Sequence, residues 1–200
     1  MGSRVLERHV VQARGHALLI LPWVRELLDE AGLEFAALDA LVVSRGPGSF
    51  TSLRIGLGIV QGIALAHDLP VHAVSSLDAL AADTEELRQS NRLLALLDAR
   101  MGEVYAAWYQ GAFDHRQRIG AETLLAPDQL KLPDTETWQI TGPGARAYQE
   151  KLSERLGKQL EFIAEQSWPR ATALLDLANS VEAVPAHDLE PAYLRNQVTG

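Results

Sequence analysis

The stretch Arg45–His67 reads RGPGSFTSLRIGLGIVQGIALAH. It begins as a glycine-proline-glycine turn and continues as a helix, with Ser49 or Thr51 placed to cap the helix start. Backbone amides at such a start can hold an anion. Against that stand three features: Pro47 removes a donor, no Lys follows the glycines, and the spacing matches neither the P-loop nor GxGxxG. Turn and ligand site both remain open for Gly46, Gly48 and Ser49. At 100° per residue, Ile55, Ile59, Ile63 and Ala66 form one apolar arc, and Leu53, Leu57, Val60 and Ala64 a second. Gly58 and Gly62 lie one turn apart on a separate stripe, and only Arg54 and Gln61 make a narrow polar sector. A helix apolar nearly all round has neighbours on more than one side. One arc faces its own sheet; the other needs the preceding helix, a second chain, or a fully internal core. Each interior glycine (Gly56, Gly58, Gly62) costs about 1 kcal/mol against Ala, tolerable where another backbone comes close.

Outward from this segment, strand and helix alternate. Ala40–Ser44 is a short continuous apolar run, expected of a strand buried on both faces, and Pro70–Val74 is the next strand. Ser76–Thr84 opens another helix. This order indicates a parallel sheet with right-handed crossovers. Upstream, Arg4–Gln12 (RVLERHVVQ) reads as a strand. His16–Ala31 has helical periodicity with Ile20, Val24, Leu27, Leu28 and Ala31 on one face, and Gly32 stops it. Pro22 inside it implies either a later start or a kink. Leu19 and Trp23 fall off the main arc, as interface residues do. Downstream, the polar stretch Ala82–Asn91 marks a boundary, giving lobes 1–90 and 91–200. Leu93–Ala99 and Glu103–Gln110 form a hairpin around Arg100-Met101-Gly102. Gln139–Thr141, a turn at Gly142–Gly144, a helix through Ala145–Leu156 and a second amphipathic helix, Ala171–Ser180, complete the pattern. The tail Glu190–Arg195 reads as an ordered extended segment.

Composition narrows the function classes. Two hundred residues, 47% hydrophobic and 22% charged, bury a core without staples. With no cysteine, disulfides, thiolate nucleophiles and thiolate metal sites are excluded. The net charge of −8 argues against a nucleic-acid surface built by this chain alone. Ile55–Leu69 reads as too short and too glycine-rich to span a bilayer. No apolar leader follows Met1-Gly2-Ser3, so a cytoplasmic location is expected. Six histidines give no HExxH and no i, i+4 pair, so neither a metal nor any other cofactor is expected. There is no GxSxG elbow, and Ser49 has no recognisable His and Asp partners.

The run Arg45-Gly46-Pro47-Gly48-Ser49-Phe50-Thr51, followed by Leu53-Arg54-Ile55-Gly56 and Gln61-Gly62, resembles the signature of the TsaB family, also called YeaZ. Asp98–Tyr105 (DARMGEVY), Thr141-Gly142-Pro143-Gly144 and Glu190–Asn196 (EPAYLRN) match in order, and the resemblance runs from Arg4 to the end. It implies the two-lobed α/β fold of actin, heat-shock ATPases and sugar kinases (the ASKHA fold). It also implies a non-catalytic subunit that binds and supports TsaD, which with the ATPase TsaE transfers the threonylcarbamoyl group to adenosine 37 of tRNA. The partner surface would be the first two helices, with Leu19, Trp23, Arg54, Gly58, Gln61, Gly62 and Leu65 on it. The same face would support a homodimer, and tRNA would be met only indirectly. TsaD's metal site uses a histidine pair that this chain lacks. Gly46, Gly48, Ser49, Asp98, Gly142 and Gly144 stand as vestigial ligand turns. At Asp98 kinase relatives have a phosphate turn, but Arg100-Met101-Gly102 lacks the glycine density for it and favours a hairpin. Family members open with a strand carrying a phosphate loop and then a second strand; here Met1-Gly2-Ser3 stands in their place. The resemblance thus implies an N-terminal lobe without its opening strands. The alternatives are an ATP-dependent phosphotransferase of the same fold, which needs that acidic phosphate loop, and a peptidase acting on the TsaD-like partner, which needs a nucleophile or metal constellation.

Overall fold

A computed structural model describes residues 4–12, 15–82, 91–112, 115–163 and 168–195. It contains a three-stranded sheet ordered β1-β2-β8 and a five-stranded sheet ordered β5-β4-β3-β6-β7. The strands are β1 (Leu41–Gly46), β2 (Val71–Ser75), β3 (Arg92–Arg100), β4 (Glu103–Gln110), β5 (Gln117–Leu125), β6 (Trp138–Thr141), β7 (Leu160–Phe162) and β8 (Ala183–Val184). The helices are α1 (His16–Ala31), α2 (Phe50–His67), α3 (Ser76–Ala82), α4 (Pro143–Ala147), α5 (Gln149–Leu156) and α6 (Ala171–Leu177).

The chain divides into two compact units, but not by one cut at residue 90. The first unit is Met1–Arg45, Phe50–Val74 and Arg170–Pro191; the second is Gly46–Ser49, Ser75–Pro169 and Ala192–Gly200. The C-terminal segment returns to the first unit because β8 pairs antiparallel with β2, Val71 opposite Val184. Gln61 Nε2 also donates to the carbonyls of Ala186 (3.2 Å) and Leu189 (3.0 Å). These partners lie more than a hundred residues away in sequence, beyond the reach of local patterning.

In the first unit, Val43, Leu57, Ala64, Val71, Ala186 and Leu189 make the core. α1 starts ahead of Pro22 and ends at Gly32, whose φ of 68° is the left-handed cap expected of glycine. The later start is thereby excluded. Pro22 supplies no N–H to the carbonyl of Leu18. α2 starts at Phe50, so Ser49 rather than Thr51 precedes it. β1 is only partly covered, with Val43 and Gly46 buried, Leu41, Val42 and Ser44 half-buried and Arg45 exposed, so it falls short of the strand buried on both faces that its apolar run suggests. Residues 4–12 are not a strand. They join neither sheet, and Val5, Val10 and Val11 are exposed. Ion pairs hold the segment instead, Arg8 to Glu30 at 2.8 Å and Glu7 to Arg170. The Arg170 guanidinium holds the Glu7 carboxyl below its ordinary value. A run rich in β-branched residues makes a strand only where a neighbouring backbone offers a ladder.

In the second unit β3 is the central strand, with Leu93, Leu94, Ala95 and Leu96 fully buried. The apolar run RLLALLDAR reads as this kind of two-faced strand. β3 pairs antiparallel with β4, as the hairpin reading requires, and parallel with β6, so the sheet is mixed. β5 carries no strand signal in the sequence, because its first half is polar and its alternation is broken. Between Ala106↔Thr123 and Trp108↔Ile119, one β4 residue faces three of β5, with Gly120 at φ 71° supplying the bulge. The helix expected over Ala145–Leu156 is two helices broken at Tyr148, whose φ of −122° is not helical. Ala171–Ser180 ends as a tighter 3-10 turn, Ala178–Ser180.

A polar clamp fastens α3 to β4 and β5. Ser75 Oγ accepts from the amides of Leu77 (3.0 Å) and Asp78 (3.3 Å), capping the helix, and bonds Glu122. Tyr109 donates to Asp78 at 2.8 Å, and Arg118 bridges Asp78 (3.1 Å) and Glu122 (2.7 Å). Arg116 donates to the Ala81 carbonyl at 2.9 Å. Burial, then the Asp78 charge, pushes the Tyr109 hydroxyl well above its ordinary value. The folded state therefore prefers the neutral phenol. That preference is fully present below the unfolded pKa of about 10 and is lost as pH rises through the folded value. Alkaline denaturation monitored by circular dichroism is expected to show stability declining above about pH 10. Tyr109→Phe should be less stable at neutral pH by about 1 kcal/mol and show a shallower alkaline decline. An equal decline in both proteins would remove Tyr109 as its source.

Candidate partner surface

α2 shows how incompletely an apolar helix can be used by its own unit. Of its eighteen residues only Leu57 and Ala64 are buried, which places the second arc of the helix against the sheet. Ile55, Ile59 and Ile63 are half-buried, whereas Ala66 is exposed. Gly58 and Gly62 are exposed too, and a Cβ built on either meets nothing within 4 Å. Leu65 is 68% exposed. Arg54 is exposed and lays its guanidinium 3.9 Å over the Phe50 ring. The stripe Arg54–Gly58–Gly62–Leu65 is thus an open apolar strip with a cation near one end. α1 packs beside α2, and none of its described side chains is buried.

The residues singled out beforehand sort unevenly. Arg54, Gly58, Gly62 and Leu65 share the open face. Leu19 and Trp23 are half-buried, while Leu18 (79% exposed) and Leu21 (42% exposed) are the more open apolar groups of α1. Gln61 is corrected: its amide nitrogen is engaged by the Ala186 and Leu189 carbonyls and serves the chain's own tail.

The glycine turns hold packing rather than open space. A Cβ on Gly142 collides with the Leu96 carbonyl and lies 2.5 Å from Leu80 Cδ2; one on Gly144 lies 2.8 Å from the Leu97 carbonyl carbon. Both glycines let α4 press on β3, so the turn is occupied by the protein's own backbone. Asp98 organises the hairpin: it accepts from the Arg100 amide at 2.8 Å and from Tyr148 at 3.4 Å, and pairs with the Arg100 side chain at 3.0 Å. Burial, followed by the Asp98 charge, raises the Tyr148 hydroxyl above its ordinary value. Gly46 is buried at φ 105°, Gly48 is half-buried and Ser49 is exposed. Among the described residues no group of three or more His, Asp or Glu converges to hold a metal.

α2 is long and apolar enough, by length and composition, to pass for a membrane-crossing helix, contrary to the reading of Ile55–Leu69 as too short. Yet α2 links β1 and β2, which lie side by side in one sheet. A helix whose two ends return to adjacent strands does not carry its chain across a bilayer core of about 30 Å.

Mixed α/β units with this topology define the class. The family model described as "TsaD: tRNA N6-adenosine threonylcarbamoyltransferase" matches residues 10–190. The tRNA threonylcarbamoyladenosine biosynthesis protein TsaB of Haemophilus influenzae is 37% identical over 93% of this chain and 82% of its own length. YeaZ from Pseudomonas aeruginosa superposes with a TM-score of 0.85 at 39% identity, covering 97% of this chain and 91% of the other. A second solved structure is described as an uncharacterized protein with similarity to peptidase YEAZ from the same organism. It gives a TM-score of 0.81 at 39% identity, over 91% and 85% of the two chains. The chain belongs to the TsaB (YeaZ) family.

Proposed function

We propose that this chain is the non-catalytic subunit that binds and supports TsaD in forming threonylcarbamoyladenosine on tRNA, docking through the α1–α2 face. The observation that carries the reading is α2 itself: eighteen mostly apolar residues of which two are buried. Such a face in water is an interaction site or a liability. The names of the relatives supply the pathway, and the tight packing at Gly142 and Gly144 weighs against a nucleotide turn there. With a net charge of −8, the chain leaves tRNA to its partner. TsaE joins through the complex, and the work is done in the cytoplasm, where tRNA is modified. Without TsaD, the same face closes on a second copy, so light scattering at micromolar concentration should report twice 21.9 kDa.

The test is reconstitution. The purified chain, its TsaD and TsaE counterparts, ATP and a threonylcarbamoyl donor are mixed with unmodified tRNA, and modified nucleoside is quantified. Product is expected only when the chain is present, and the chain alone should neither turn over ATP nor cleave TsaD. Full modification in its absence would overturn the reading. So would an ATPase or peptidase activity of the lone chain that a point substitution in it abolishes.

A further inference from the structure

The tip of the β3–β4 hairpin carries a feature that docking does not use. Arg100 and Met101 both adopt left-handed backbone, at φ 61° and 54°, where Asn and Gly are the favoured residues. Met101 is 80% exposed. Its thioether is nevertheless engaged: Arg195 Nη1 lies 3.0 Å from Sδ. The same guanidinium donates through Nη2 to the Ala99 carbonyl (3.2 Å) and to Glu103 (2.6 Å), and its side chain is only 18% exposed. Leu194 packs against the core cluster that includes Leu97 and Tyr105. Residues 192–195 are thus strapped to the hairpin by one arginine, and one of its three anchors is a sulfur open to solvent.

We infer that Met101 is an oxidation site whose sulfoxide tightens this strap. The co-reactant is a peroxide. The Sδ lone pair attacks one peroxide oxygen, an S–O bond forms as the O–O bond breaks, and the proton on the attacked oxygen passes to the departing oxygen, which leaves as water. Sulfur is oxidised by two electrons and the peroxide is reduced by two. A thioether is a weak acceptor, whereas a sulfoxide oxygen accepts fully and meets a charged donor already in place. Oxidation usually disrupts because it makes a buried apolar side chain polar. Here the side chain is in water already, so the added dipole meets no apolar wall. The flexible thioether stem lets the new oxygen turn toward the guanidinium.

The experiment uses the full chain treated with hydrogen peroxide. Peptide mass mapping separates Met101 from Met1, and amide hydrogen exchange follows residues 192–195. Arg195→Ala, Arg195→Lys and Met101→Leu serve as comparisons. Met101 sulfoxide is expected, with exchange at Leu194 and Arg195 slowed about threefold and restored by methionine sulfoxide reductase. Arg195→Ala should oxidise at Met101 with no slowing, Arg195→Lys should show less of it, and Met101→Leu should not respond to peroxide. The inference is overturned if Met101 stays reduced where free methionine is converted. It is equally overturned if exchange in the oxidised protein is unchanged or faster, or if Met101→Leu slows to the same extent.

Discussion

Gly142→Ala is expected to lower the thermal midpoint by roughly 10 °C or more. Two costs act together. At φ 99° and ψ 168°, Gly142 occupies a region essentially closed to side chains, worth about 1–3 kcal/mol. The new Cβ would also run into the Leu96 carbonyl and Leu80 of the packed second unit, and overpacking costs a further 1–3 kcal/mol or so. The sum is on the order of 4 kcal/mol, a large part of what a domain has. Gly58→Ala is the counterpart, because its Cβ enters open space in mid-helix and should gain up to about 1 kcal/mol. Calorimetry of both variants checks the pair. A Gly142→Ala midpoint within two or three degrees of the parent would mean that the turn relaxes and that its glycine serves something other than packing.

The second large effect concerns association. Gly58→Leu and Gly62→Leu place a bulky side chain on the open strip of α2, where a Cβ on either glycine meets nothing within 4 Å. The fold should therefore melt within a few degrees of the parent, while on the docking proposed above affinity for TsaD and for a second copy falls about tenfold or more, the equivalent of about 1–3 kcal/mol of overpacking at a close helix contact. Melting and titration calorimetry are both required. A sharply lowered melting temperature with unchanged affinity would place the strip inside its own unit. If neither quantity changes, the strip faces only water, and the docking surface lies elsewhere on a protein that still belongs to the family.

The contrast between these glycines shows how much was legible. In sequence Gly58 and Gly62 read as helix interior and Gly142 and Gly144 as a turn, but neither setting says what a side chain there would meet. In the structure two face open space and two are pressed on β3. No local pattern shows the difference in packing, because the atoms that a Cβ would meet at Gly142 come from Leu80 and Leu96, far away in sequence. Gln61 failed for the same reason: helical phase correctly put it in a polar sector, but its carbonyl partners belong to the returning C-terminal segment. Residues 4–12 failed in the opposite sense. The run alternates only in part, and it joins neither sheet. The polar clamp of Asp78, Tyr109, Arg118 and Glu122 was invisible as well, since no spacing rule joins residues of one helix to two strands.

By itself, the sequence determined what short-range periodicity and chain chemistry control. The helical span of α1, the apolar surplus of α2, the β3–β4 hairpin, the absence of thiol chemistry and the family membership all follow from residues within a few turns of one another or from ordered motifs. Tertiary structure alone decided which face of α2 is left uncovered, which glycines are packed, and where the two units divide. Those outcomes depend on contacts between segments far apart in sequence, and burial is a property of the assembled neighbours rather than of the residue that is buried.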